Sequence, residues 1–74
     1  MNIKEKIGAR IKELREAKGL SQKDVAYAAD LDRSYIASIE NGACNVSSVN
    51  IEKIAKALQV SVRTFFSDDK FEQV

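Results

Sequence analysis

Four side chains inside one short stretch, Arg33, Ser34, Tyr35 and Ser38, carry hydrogen-bonding groups suited to a polar or charged partner. Ile36 and Ile39 follow helical spacing and claim the inward face of that stretch, which leaves the four to its outward side. Ser34 and Ser38 are four positions apart, so both can face one groove. A guanidinium can pair with O6 and N7 of guanine, and a serine hydroxyl can bond a base or a phosphate. A tyrosine ring can meet a thymine methyl or send its hydroxyl to a phosphate. Arg33 falls in the first turn of its helix, where a cation opposes the helix dipole at a cost of about 0.3–1 kcal/mol. A charge kept against that cost suggests use. Each residue also has a plainer reading: Arg33 solvated beside Asp32, the serines as bare helix surface, Tyr35 packed along the edge of the domain.

Further candidates flank these four. Gln22 lies just inside another helix, where its amide and the neighbouring backbone N–H groups can hold a phosphate. Asn41 and Asn45 are candidates for backbone contact, with turn formation an equal alternative. Arg15 and Glu40 each sit four positions beyond an inward isoleucine, at the edge of an apolar face where an unpaired charge would be expensive.

The elements that must position these residues are helices. Ile3, Ile7, Ile11 and Leu14 mark one face of a helix from Ile3 to Lys18, which Gly19 stops with Leu20 folding back beyond it. Ser21-Gln22-Lys23-Asp24 reads as a capping box that opens a second helix through Val25, Ala26 and Ala29. Asp30-Leu31 breaks it, and Asp32 is the cap of a third helix from Arg33 to Asn41, ended by Gly42. Ser47 or Ser48 opens a fourth helix with Val49, Ile51, Ile54, Ala55 and Leu58 as its buried side. Ser61 caps a short fifth piece, Val62 to Phe66. No stretch alternates with period two and proline is absent, so the expected fold class is all-α, a compact five-helix bundle. The caps Ser21 and Asp32 are eleven positions apart, which leaves two short helices joined by a tight turn, the geometry of a helix-turn-helix.

Composition narrows the functions. The chain has 74 residues, 45% hydrophobic and 31% charged, enough for one globular domain whose small core would gain from dimerisation. No apolar run could cross a bilayer and no charged-then-apolar leader is evident, so a cytoplasmic location without a membrane partner is expected. Histidine is absent, and Cys44 is the single cysteine, so no metal site, cofactor site or catalytic base is expected and the chain reads as no enzyme. The carboxylates are scattered on charged helix faces, and no small-molecule substrate is implied. Net charge is +1, with a net −2 on residues 67–74, read as a short acidic tail, and +3 on residues 1–66. A pI near 7.8 falls short of the strongly basic signature of nucleic-acid binders.

Ser-Gln-Lys-Asp-Val-Ala at 21–26, Leu-Asp-Arg-Ser-Tyr-Ile at 31–36 and Ile-Glu-Asn-Gly at 39–42 resemble the Cro/cI-type (XRE-like) helix-turn-helix family, whose fold is that of the lambda repressor DNA-binding domain. The resemblance continues through Ile54-Ala55-Lys56-Ala57-Leu58-Gln59-Val60 to Phe65-Phe66, and within the family the chain looks most like controller proteins of restriction–modification systems. Two departures stand out: Asp30 where the wider family often has glycine, and a loop, Gly42-Ala43-Cys44-Asn45, without the arginine that controller-like members often carry. The resemblance implies a domain over residues 1–66 that binds palindromic operators in double-stranded DNA and places the helix from Arg33 in the major groove. It implies an ion pair between Arg15 and Glu40 joining the first and third helices. It further implies a homodimer through Ile51, Val62, Phe65 and Phe66, with recognition helices about 34 Å apart, and help to RNA polymerase at low occupancy. A phage-type repressor, an antitoxin-type regulator, or a protein-interaction module with weak DNA binding are the alternatives.

Overall fold

The computed structural model describes residues 1–72, so the last two residues of the expected 67–74 tail, 73 and 74, lie outside the described residues. Among the described residues five α-helices follow one another: α1 (Ile3–Ala17), α2 (Gln22–Ala29), α3 (Arg33–Glu40), α4 (Ser48–Ala57) and α5 (Val62–Phe65). A 3-10 turn, Asp69–Phe71, closes the described chain. Helix α1 packs on α3, α2 on both α3 and α4, and α4 on α5. Their shared core is filled by Ile11, Ile36, Ile39, Ile54, Leu58 and Phe65, all fully buried. The all-α, five-helix reading of the sequence holds.

Local chemistry sets the boundaries. Ser21 and Asp24 form both arms of the capping box, with the Ser21 hydroxyl accepting from the Asp24 N–H at 3.0 Å and the Asp24 carboxylate accepting from the Ser21 N–H at 2.9 Å. Asn2 and Glu5 do the same for α1, a box that the apolar pattern beginning at Ile3 does not reveal. Ser47, rather than Ser48, caps α4, and Ser61 caps α5. Asp32 occupies the cap position of α3 with its backbone alone; its side chain makes no cap bond. Asp30 enters the left-handed region with φ 57° and ψ 47°, as a non-glycine at that turn must.

Helices α1 and α3 approach so closely at Gly8 that a methyl group there would collide with the Ile39 carbonyl oxygen. That contact fixes the seat of α3, the helix that presents Arg33.

Three expectations about the apolar faces need correction. Ile3 and Val49 are mostly exposed, because each lies in the first turn of its helix, beyond the surface that covers the rest of the stripe. Phe65, expected at the contact between subunits, has no exposed surface at all: it is a central core side chain and cannot meet a partner. Residues 67–72, within the stretch read as an acidic tail, include a 3-10 turn and touch the core. Phe71 packs on the core, its ring centroid 4.9 Å from that of Phe66 in a T-shaped arrangement.

Candidate nucleic-acid interface

Helix α3 turns Ile36 and Ile39 inward and leaves Arg33 and Ser34 exposed, with Ser38 half-buried beside them. The five ion pairs among the described residues do not include Arg33. Neither serine hydroxyl engages in a side-chain hydrogen bond among the described residues, so both are open to an outside partner. Asn41 and Asn45 are exposed in and after the last turn of α3, and Gly42, φ 71°, lets the chain reverse between them. The protein's own fold does not occlude this face.

Two candidates are already engaged within the chain. The Tyr35 hydroxyl accepts from Asn50 Nδ2 at 3.0 Å, which pins the half-buried ring against the start of α4 and leaves the hydroxyl hydrogen to donate outward. Asn50 was not singled out in the sequence; its place in the first turn of α4 gives no sign of a partner on α3. Gln22 donates from Nε2 to Glu40 Oε1 at 3.1 Å, so half of its amide donor capacity is spent on positioning. The capping box uses the N–H groups of Ser21 and Asp24, and those of Gln22 and Lys23 at the same helix start point outward without a partner among the described residues, an arrangement that suits an anion.

The support beneath α3 is ionic. Arg15 grips Glu40 through two parallel bonds, Nε to Oε2 at 2.8 Å and Nη2 to Oε1 at 3.0 Å, while Nη1 donates to the Leu20 carbonyl at 2.9 Å. The Glu40 side chain is 3% exposed and that of Arg15 12%. The hydrogen bond to Glu40 raises the Arg15 pKa above its ordinary value despite partial desolvation. One carboxylate therefore ties the end of α1, the start of α2 and the end of α3 together, which fixes the angle between the two helices of the helix-turn-helix.

The surface proposed for pairing is smaller than expected once Phe65 is removed. Val62 is 41% exposed, and Ile51 and Phe66 are half-buried on the outer side of α4 and α5.

A helix-turn-helix family model matches residues 11–65. Among known proteins, the control protein C.MunI of Mycoplasma sp is 48% identical over 68 residues, covering 90% of this chain and 92% of that protein. Among solved structures, the restriction-modification controller protein C.AhdI from Aeromonas hydrophila superposes with a TM-score of 0.82 at 51% identity, covering 85% of this chain and 96% of that one. The restriction-modification controller protein C.Esp1396I, solved as a tetramer in complex with its natural 35 base-pair operator, superposes with a TM-score of 0.85 at 39% identity, covering 89% of this chain and 87% of that one. With the α2–turn–α3 geometry and these likenesses in hand, the chain belongs to the Cro/cI-type helix-turn-helix family of DNA-binding transcription regulators, alongside restriction–modification controller proteins.

Proposed function

We propose that the protein is a homodimeric controller of a restriction–modification operon, acting in the cytoplasm on palindromic operator sites and catalysing no reaction. The observation that carries the DNA contact is the open outward face of α3, where the Arg33 and Ser34 side chains are exposed and have no hydrogen-bond or ion-pair partner among the described residues. Arg33 reads guanine, Ser34 and Ser38 contact bases or phosphates beside it, and Tyr35, Gln22, Asn41 and Asn45 hold the backbone. Pairing through Ile51, Val62 and Phe66 sets two copies of α3 on successive major grooves, roughly 34 Å apart. The controllers similar to this chain support that assignment, and the tetramer on an operator found for one of them supports pairing as the binding-competent form. RNA polymerase is the natural further partner of a regulator bound beside a promoter.

Selection of bound duplexes from a random pool tests this directly. The expected product is an inverted repeat whose half-sites lie about one helical turn apart. Binding to it should weaken steeply with salt, by a slope of about −0.9 in log K per phosphate neutralised. A pool with no enriched sequence, or retention indifferent to salt, overturns the proposal.

A further inference from the structure

Helix α5 is a single turn of four residues, too short to hold its own orientation. Beside the burial of Phe65 in the core, it is held by Arg10, a buried cation on the core side of α1. Arg10 Nε donates to the Phe65 carbonyl at 2.7 Å and Nη2 to the Thr64 carbonyl at 2.9 Å, so the guanidinium caps the open end of α5 from a residue 55 positions away. The remaining nitrogen, Nη1, donates to Glu13 Oε1 at 2.7 Å and reaches Asp68 Oδ2 at 3.4 Å. Asp68 in turn accepts from Lys70 Nζ at 2.7 Å, and Lys70 returns to Glu13 at 3.3 Å. Four charges thus close a ring between α1 and the segment that follows α5. Phe71 leaves that segment to lie across Phe66, one of the residues offered for pairing. The segment lies beyond residues 11–65, the span of the shared family pattern.

We propose that residues 67–72 are a clasp that sets the pairing surface: Arg10, Asp68 and Lys70 lock α5 in place and Phe71 fixes the Phe66 ring, so that operator binding by the dimer depends on residues that never touch DNA. The inference rests on the dimer reading above. Arg10 and Phe71 are positioning residues in this scheme, and the clasp has its effect on pairing rather than on the helix-turn-helix.

The test uses the full chain carrying Phe71→Ala, Asp68→Ala or Lys70→Ala, with Lys70→Arg as the conservative control. Sedimentation equilibrium gives the dimer constant, circular dichroism the helix content, and titration with the selected inverted repeat or with a duplex bearing one half of it gives the two DNA affinities. The three disruptive variants should keep wild-type helix content and half-site affinity, while dimer and full-site affinities each fall at least tenfold; Lys70→Arg should restore both. Full-site and dimer affinities equal to wild type in all three overturn the clasp. So does a parallel loss of helix content and half-site affinity, which assigns these residues to core stability alone. A wild-type chain that is monomeric and prefers no full site over a half-site overturns the dimer reading itself, a result separate from either of those.

Discussion

Arg33 stands at the exposed first turn of α3, where the helix dipole works against its charge and no carboxylate among the described residues pairs with it. Its type and position were legible in the sequence because both follow from one helical phase: Ile36 and Ile39 go inward, so Arg33 goes out. Replacement by alanine is expected to weaken binding to the selected site by about 1–3 kcal/mol and to flatten discrimination at the base pair it reads. Competition among single-base-pair variants measures this, and an unchanged rank order contradicts the assigned contact. At the other end of the same helix, Glu40 has the opposite character, sealed beneath the surface with three donors on it, two from Arg15 and one from Gln22. Glu40→Ala leaves the Arg15 charge uncompensated in a nearly closed site and should cost about 3–5 kcal/mol of folding stability. A denaturant midpoint equal to that of the wild type removes the pair from the account of stability. Arg10 escaped the sequence reading for a physical reason: a cation on an apolar row reads as an interruption, and its carbonyl partners lie at the far end of the chain.

The helices themselves were legible where cap chemistry and apolar spacing agree, as at Ser21 with Asp24 and at Ser61. They were less so where one signal stood alone. Periodicity places Ile3 and Val49 on the apolar faces of their helices, though both are mostly exposed in the first turn. Adjacent phenylalanines point about 100° apart on a helix, so Phe65 and Phe66 cannot be buried alike: Phe65 is fully enclosed while Phe66 packs at the edge of the core. The ends of helices held another surprise. Beyond α4 the chain turns through Gln59 at φ 61°, and the Val60 N–H returns to the Ala55 carbonyl at 3.0 Å, the bond that marks a left-handed helix stop. A side chain with a Cβ pays roughly 1–2 kcal/mol there, and glycine would return about 0.5–1 kcal/mol of that to chain entropy. Since Gln59 is exposed, Gln59→Gly should raise stability by about 0.5–1 kcal/mol, a few degrees in melting temperature for a domain of this size. A lower melting temperature would show that the Gln59 side chain holds something in solution that compensates for its strain.

Across the whole molecule, near-neutral net charge conceals a division of labour. Arg10, Arg15, Lys70, Glu13, Glu40 and Asp68 cancel one another inside two ionic clusters, so they bind the fold together and contribute little to any outward field. The proposed attraction to DNA would then rest on exposed cations such as Arg33 and Lys23. Pairing, as proposed, is the second global property, and it would fall to a modest apolar surface in which Val62 is the exposed member on α5. Val62→Glu is expected to leave helix content intact and abolish tight full-site binding, because two like charges would be buried against each other on a two-fold axis. A monomeric variant that binds the inverted repeat as tightly as the wild type contradicts pairing through α5. The segment after α5 carries a pH signature of its own. Hydrogen bonds from Lys70 keep the Asp68 pKa below its ordinary value, and the hydrogen bond from Arg10 does the same for Glu13 against its own desolvation. Burial alone would lower the Lys70 pKa, but its bonds to Asp68 and Glu13 prevail and raise it, so Lys70 stays charged throughout the acid range. A carboxylate whose pKa is lowered by folding adds stability above its unfolded pKa and surrenders it as pH falls through the folded value. Asp68→Asn should therefore melt below the wild type near neutral pH, and the gap should close in strong acid, where Asp68 is protonated in both states. Melting curves of the two proteins across that range decide the point: a gap that persists unchanged into strong acid would mean that the Asp68 charge is not what fastens the segment to α1.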